Sequence, residues 1–127
     1  MMKLDHFTIR TPDPDTIRDF FHDLLGLNTG FRPNFAFPGH WLYGSDATQA
    51  IVHVIGQKKE LPEMNLGNDT GTVDHLAFQA NNYDEILGRV KENKWEYRES
   101  ELPGRLAHQI FVTGPHNVVI EIVFPVE

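Results

Sequence analysis

The apolar positions of the chain fall into two similar series. An alternating run opens at Leu4–Ile9 and another at Val73–Phe78, about 69 positions later. Period-two alternation predicts a strand in each place. Each run is followed by polar turn residues and then by apolar residues at helical spacing. These are Ile17, Phe20, Phe21, Leu24 and Leu25 in the first copy and Ile86, Leu87 and Val90 in the second. Asp and Thr residues before the first stripe, and Gly26 after it, are the expected helix caps. Strand-like runs return at His40–Gly44 and Ala50–Ile55, then at Trp95–Glu99, Ala107–Thr113 and Val118–Phe124. The order is strand, helix and about three strands, twice over. It predicts an α+β protein of two βαβββ modules, at about residues 1–57 and 72–127, in one domain of 127 residues. The segment GQKKELPEMNLGNDTGT between them is polar and rich in Gly, Pro and Asn, and is read as a connecting loop long enough to act as a lid.

Composition narrows the function. A formal net charge of −7 with no basic cluster argues against a nucleic-acid surface and for a small-molecule partner. No stretch approaches the roughly 18–20 apolar residues of a membrane span, and MMKLDHFTIR turns polar before a signal-peptide core could form. The expectation is a cytoplasmic protein without a membrane partner. With no cysteine, any metal must be held by His and carboxylate.

Strand alternation puts Leu4, His6 and Thr8 on one face, with Phe7 and Ile9 on the helix-packing face. It likewise separates His75 and Ala77 from Leu76 and Phe78, so His6 and His75 are positional equivalents. His53 in IVHVI and Glu121 in VVIEIVF form a second pair, about 68 positions apart. A lone strand histidine is more often a satisfied core residue than a ligand. Glu121 changes the balance, because a carboxylate among Val118, Val119, Ile120, Ile122 and Val123 needs a cation, a hydrogen-bond network or a raised pKa. Two readings stay open. In one, Glu121 shares a metal with His6, His53 and His75; this donor set suits Zn, Ni, Mn, Co or Fe(II) and leaves positions for water or substrate. In the other, it pairs with protonated histidines, Arg98 or Arg105 as a structural network.

The segment GFRPNFAFPGHWLYG concentrates Phe31, Phe35, Phe37, Trp41 and Tyr43, which could line an apolar wall or simply fill core and loop contacts. His40, Tyr43 and His108 are candidates for proton transfer beside the site. His22 and His116 are expected in solvent.

Paired strand–helix–strands modules with HF or HL on the first strand, a late Glu on the last, and GPHNVVIEI around it resemble the glyoxalase, bleomycin-resistance and extradiol-dioxygenase superfamily, also called vicinal oxygen chelate. The resemblance covers essentially the whole chain. It implies a curved, mostly antiparallel half-barrel sheet with helices on its outer face, and one divalent metal held by His6, His53, His75 and Glu121. It implies Lewis-acid chemistry of lyase or isomerase/epimerase type on vicinal oxygens, with Glu121 as catalytic base. His40, Trp41, Tyr43, His108 and Phe111 would line the substrate pocket. It also implies a homodimer, with modules paired within a chain or exchanged between chains. The chain departs from the pattern at His53, where glyoxalases resemble one another in having Glu and epimerases often have Gln. Extradiol dioxygenases, the second reading, carry a Tyr on the strand before the carboxylate strand, near which this chain has Phe111. A metal-free small-molecule or antibiotic-binding resistance protein is the alternative of another class.

Overall fold

The computed structural model describes residues 4–57, 73–102 and 107–126. The chain divides into two units, Met1–Asn65 and Leu66–Glu127, with one plan. The first contains β1 (Phe7–Arg10), α1 (Pro14–Leu25), β2 (Asn28–Thr29), β3 (Gly39–Tyr43) and β4 (Ala50–Ile55). The second contains β5 (Leu76–Gln79), α2 (Tyr83–Glu92), β6 (Glu96–Glu101), β7 (Ala107–Thr113) and β8 (Val119–Pro125). The sheets have the orders β1-β4-β3-β2 and β5-β8-β7-β6. In each, the first and last strands pair in parallel and the remaining pairs are antiparallel. The architecture is α+β, as the sequence pattern predicts, and each sheet is mixed, with one parallel pair among antiparallel ones.

Helix α1 starts where Asp13 accepts a hydrogen bond from the Thr16 amide at 3.3 Å and Pro14 begins the first turn. It stops at Gly26, whose left-handed φ of 74° suits a residue without a Cβ. Its stripe of Ile17, Phe20, Phe21 and Leu24 is buried, as are Leu42, Val52 and Val54 on one face of the first sheet. Phe7 of β1 meets Phe21 at 6.2 Å between ring centres. In the second unit Ile86 and Val90 of α2 are buried along with Ile110, Val112, Ile120 and Ile122. Tyr83 tethers α2 further, its ring lying edge-on to Phe124 and His108 and its hydroxyl donating to Glu99. That bond is the main reason the phenol is pushed up to about 12. Each sheet therefore has one face beneath its helix, and strand alternation puts His53 and Glu121 on the other.

The first strand of each unit begins later than expected, at Phe7 and Leu76, so His6 and His75 precede the ladders and sit at their mouths. The two-residue β2 is an addition, for two exposed polar residues carry no readable alternation. Residues 58–72, which hold most of the expected connecting loop and its suggested lid role, lie outside the described residues. Among the described residues no helix is long and apolar enough to cross a membrane.

Because α1 is held by its buried stripe more than by its cap, Phe21→Ala should lower the unfolding free energy by about 3–5 kcal/mol. Asp13→Ala should lower it by about 1 kcal/mol. Urea denaturation measures both; equal losses would contradict this account of the helix.

Candidate functional site

Sheet register decides which side chains meet. In the first unit Thr8 and Trp41 both pair with His53, forming a row across β1, β4 and β3 on the face away from α1. In the second unit the corresponding row is Ala77, Glu121, Phe111 and Arg98. His6 and His75 lie two residues before Thr8 and Ala77 and join the same faces. The first unit thus brings His6 together with His53, and the second brings His75 together with Glu121.

The two pairs are dressed differently. His53 is sandwiched in a stack of rings, with Trp41 at 4.0 Å and 8° on one side and His6 at 3.7 Å and 17° on the other. Burial first, and the neighbouring His6 second, push the His53 pKa below its ordinary 6.5. Neutral imidazole is therefore its form at neutral pH. Glu121 is 7% exposed and is the only buried carboxylate among the described residues. Its Oε1 lies 2.8 Å from His75 Nε2, and its Oε2 accepts from Gln109 Nε2 at 2.8 Å. The His75 pKa is raised, chiefly by its hydrogen bond to Asp74 and then by the Glu121 charge, against an opposing effect of burial. Phe111 stands edge-on to His75 at 5.4 Å, and the Arg98 guanidinium lies 4.0 Å over the Phe111 ring.

Both unit-leading histidines share one more feature. Asp5 Oδ2 lies 2.6 Å from His6 Nδ1, and Asp74 Oδ2 lies 2.7 Å from His75 Nδ1. Gln49, just before β4, donates to Asp5 Oδ1 at 2.9 Å and to the Asp5 carbonyl at 2.6 Å. Hydrophobic periodicity does not single out Asp5, Asp74, Gln49 or Gln109. The Asp–His dipeptide at the same place in both copies was the available signal for the first two; the glutamines offered none.

Of the five residues expected to line a pocket, Trp41 and Phe111 lie beside the donor pairs. His40 and His108 do not. His40 pairs with buried Val54 in the ladder, faces α1 and contacts Asp15 at 2.7 Å through Nε2. His108 pairs with Phe124, faces α2 and contacts Glu99 at 2.9 Å. Both are one position out of phase with the donors' face. Tyr43 donates to the Phe31 carbonyl at 2.6 Å and braces its own loop. Phe35 extends the aromatic surface from Trp41, 6.4 Å away, while Arg32 caps Phe35 and Phe37 and donates to the Phe37 carbonyl. His22 and His116 are exposed. The partner of Glu121 is a histidine; Arg98 is engaged with Phe111, and Arg105 lies outside the described residues. A recess of about 280 Å³ in the second unit is lined by Asp74, Arg98, Phe111, Thr113 and Val119 among others, but by neither His75 nor Glu121. A larger one of about 380 Å³ lies around Phe31 and Tyr43, and none of the four donors lines it.

The donor chemistry fits a divalent ion. Two imidazoles have Nδ1 tied to carboxylates, one is held neutral, and one carboxylate is withdrawn from water. The number in each unit is two, and among the described residues no group of three His, Asp or Glu side chains that could hold a metal is assembled.

The family model of the Glyoxalase/Bleomycin resistance protein/Dioxygenase superfamily matches residues 3–122. Among solved structures, a glyoxylase/bleomycin resistance protein/dioxygenase domain from Frankia sp. is similar, with a TM-score of 0.72 at 13% identity over 99% of each chain. The fosfomycin resistance protein FosX from Mesorhizobium loti gives 0.65 at 17% identity, over 99% of this chain and 94% of that chain. A mutant FosX from Listeria monocytogenes, complexed with Mn(II) and 1S,2S-dihydroxypropylphosphonic acid, gives 0.72 at 16% identity, over 99% of this chain and 94% of that chain. At these identities the likeness establishes the fold. No curated protein sequence matches the chain at a significant level.

In the metal-free protein, NMR titration should find His75 above 6.5 and His53 below it. Glu121→Gln and Asp74→Asn should each lower the His75 midpoint. The stability His75 contributes is complete below the ordinary imidazole value and is lost as pH rises through its raised folded value. Midpoints at 6.5 for both histidines would contradict this electrostatic account.

Proposed function

The chain belongs to the glyoxalase/bleomycin resistance protein/dioxygenase superfamily, and from that premise we propose a divalent-metal-dependent enzyme acting on a small substrate with vicinal oxygens. The reaction is Lewis-acid catalysis of lyase or isomerase/epimerase type. One observation carries the reading. Glu121, buried in an apolar strand, meets His75 on the sheet face away from α2, while His6 and His53 occupy the equivalent positions of the first unit. Two donors per unit are fewer than a divalent ion takes, so the proposal requires all four to serve one ion. The likeness to a FosX crystallised with Mn(II) and a vicinal-diol phosphonic acid supports both the class of ion and the class of substrate.

The bound ion would supply positive charge that polarises a substrate oxygen and acidifies the adjacent proton. The rest falls to the chain's own groups. His53, neutral and shielded by Trp41, offers a lone pair without first losing a proton. Gln109 holds Glu121 Oε2, which fixes the carboxylate plane and leaves Oε1 as the oxygen that takes up or returns a proton. In the absence of metal that oxygen rests on His75 Nε2. Trp41 and Phe111 flank the donor pairs with apolar surface that suits the carbon skeleton of a small substrate.

The dioxygenase reading has weaker support, because Phe111, directly across the ladder from Glu121, carries no hydroxyl. Following the family resemblance, the proposal extends to a homodimer.

The test is titration of metal-free protein with Mn(II) by calorimetry. One ion per chain is expected, with affinity falling at least about 10-fold in His53→Ala and Glu121→Gln, as loss of even an outer partner typically does. No binding, or variants that bind like the parent, would overturn the proposal. Iron-loaded protein should leave catechol rings uncleaved under oxygen; cleavage would favour the dioxygenase.

A further inference from the structure

We infer that Asp5 and Asp74 are positioning residues, one in each unit, that select Nε2 as the donor atom of His6 and His75. The inference rests on the metal-binding reading and deepens it, by assigning the ligating atom and naming the groups that enforce the choice.

The geometry is the same twice. A carboxylate one residue before the histidine reaches back to Nδ1, at 2.6 Å in the first unit and 2.7 Å in the second. An ionised carboxylate only accepts hydrogen bonds, so the proton of a neutral imidazole is drawn to Nδ1 and the lone pair is left on Nε2. In His75 the same atom faces Glu121, 2.8 Å away, and donates to that carboxylate while the ring is protonated; loss of this proton leaves the lone pair on Nε2. The carboxylate therefore turns the ring so that its available nitrogen points at the other donor of its unit. It also makes that nitrogen a better electron donor, as carboxylates behind metal-binding imidazoles do.

Adjacency along the chain alone would allow such a contact by accident. Two observations oppose that explanation. The same atom is chosen in both units, at the same place in a repeat whose surrounding residues differ. In the first unit the carboxylate is itself held, since Gln49 clamps both Asp5 Oδ1 and the Asp5 carbonyl from the turn before β4. The sequence Gln49, Asp5, His6 is thus a relay from the β3–β4 turn to the ring stacked on His53. The exposure of the two carboxylates, 72% and 90%, makes the contacts nearly worthless to folding stability. Their loss should be read in the histidines and not in the fold.

The experiment has two arms. Long-range proton–nitrogen NMR on metal-free protein, at a pH where imidazoles are neutral, reads the tautomer of His6, whose only ion-pair partner among the described residues is Asp5. The parent should show the Nδ1–H form, Asp5→Ala should shift it toward Nε2–H, and Asp5→Asn, whose amide oxygen still accepts, should keep it. Calorimetric titration with Mn(II) should show affinity lowered about 10- to 100-fold in Asp5→Ala and Asp74→Ala, with part of the loss recovered in the Asn variants. An Nε2–H parent, or Ala variants unchanged in both tautomer and affinity, would overturn the inference while leaving metal binding standing. A parent that binds no Mn(II) yet follows the tautomer pattern would instead overturn the metal reading and uphold the selection of Nε2.

Discussion

An ionised carboxylate removed from water costs several kcal/mol unless both of its oxygens find partners. β8 contains such a group in a strand otherwise made of Val, Ile and Phe. Glu121 meets the requirement with His75 at one oxygen and Gln109 at the other. Its neighbours Ile120 and Ile122 are fully buried in the core, so the strand's alternation leaves Glu121 only the opposite face. A slip of one residue would press the carboxylate into the core and turn the two isoleucines outward, so the charge and the apolar residues specify the same register. The positions of Ala77, Phe111 and Arg98 in the cross-sheet row follow from that register.

The first unit repeats the plan with imidazole where the second has carboxylate, and the surroundings change to match. His53 is half-buried between two flat rings, and its burial together with the neighbouring His6 favours the neutral form. Glu121 needs donors, and an amide stands where it can give one. What the two units hold in common is the entrance to the first strand, where an aspartate sits behind each histidine. One fold, used twice, thus presents two imidazoles in the first unit and an imidazole with a carboxylate in the second.

Much of this was legible in the chain. The alternating runs with His6 and His75 at matching places, the stripe of α1 with Gly26 behind it, and Glu121 among branched residues follow from periodicity and from the cost of burying charge. Strand parity was legible only within a strand. His40 and Trp41 are neighbours, and which of them shares a face with His53 depends on the pairing Trp41–His53, a fact of register between strands. The same gap placed His108 with the donors when it belongs to α2's side. Partners brought together by folding, such as Gln49 with Asp5 across 44 residues, leave no mark in local composition. The start of β1 at Phe7 was missed because Leu4 continues the alternation of the strand without joining its ladder.

The account turns on four side chains acting on one ion. X-ray absorption at the manganese edge of protein loaded with Mn(II) tests this most directly, because imidazole rings scatter in a pattern that carboxylates and water do not produce. Three imidazole nitrogens and at least one carboxylate oxygen around each manganese is the predicted result. A shell of oxygen alone, or imidazole scattering that survives when His6, His53 and His75 are all replaced, would contradict it.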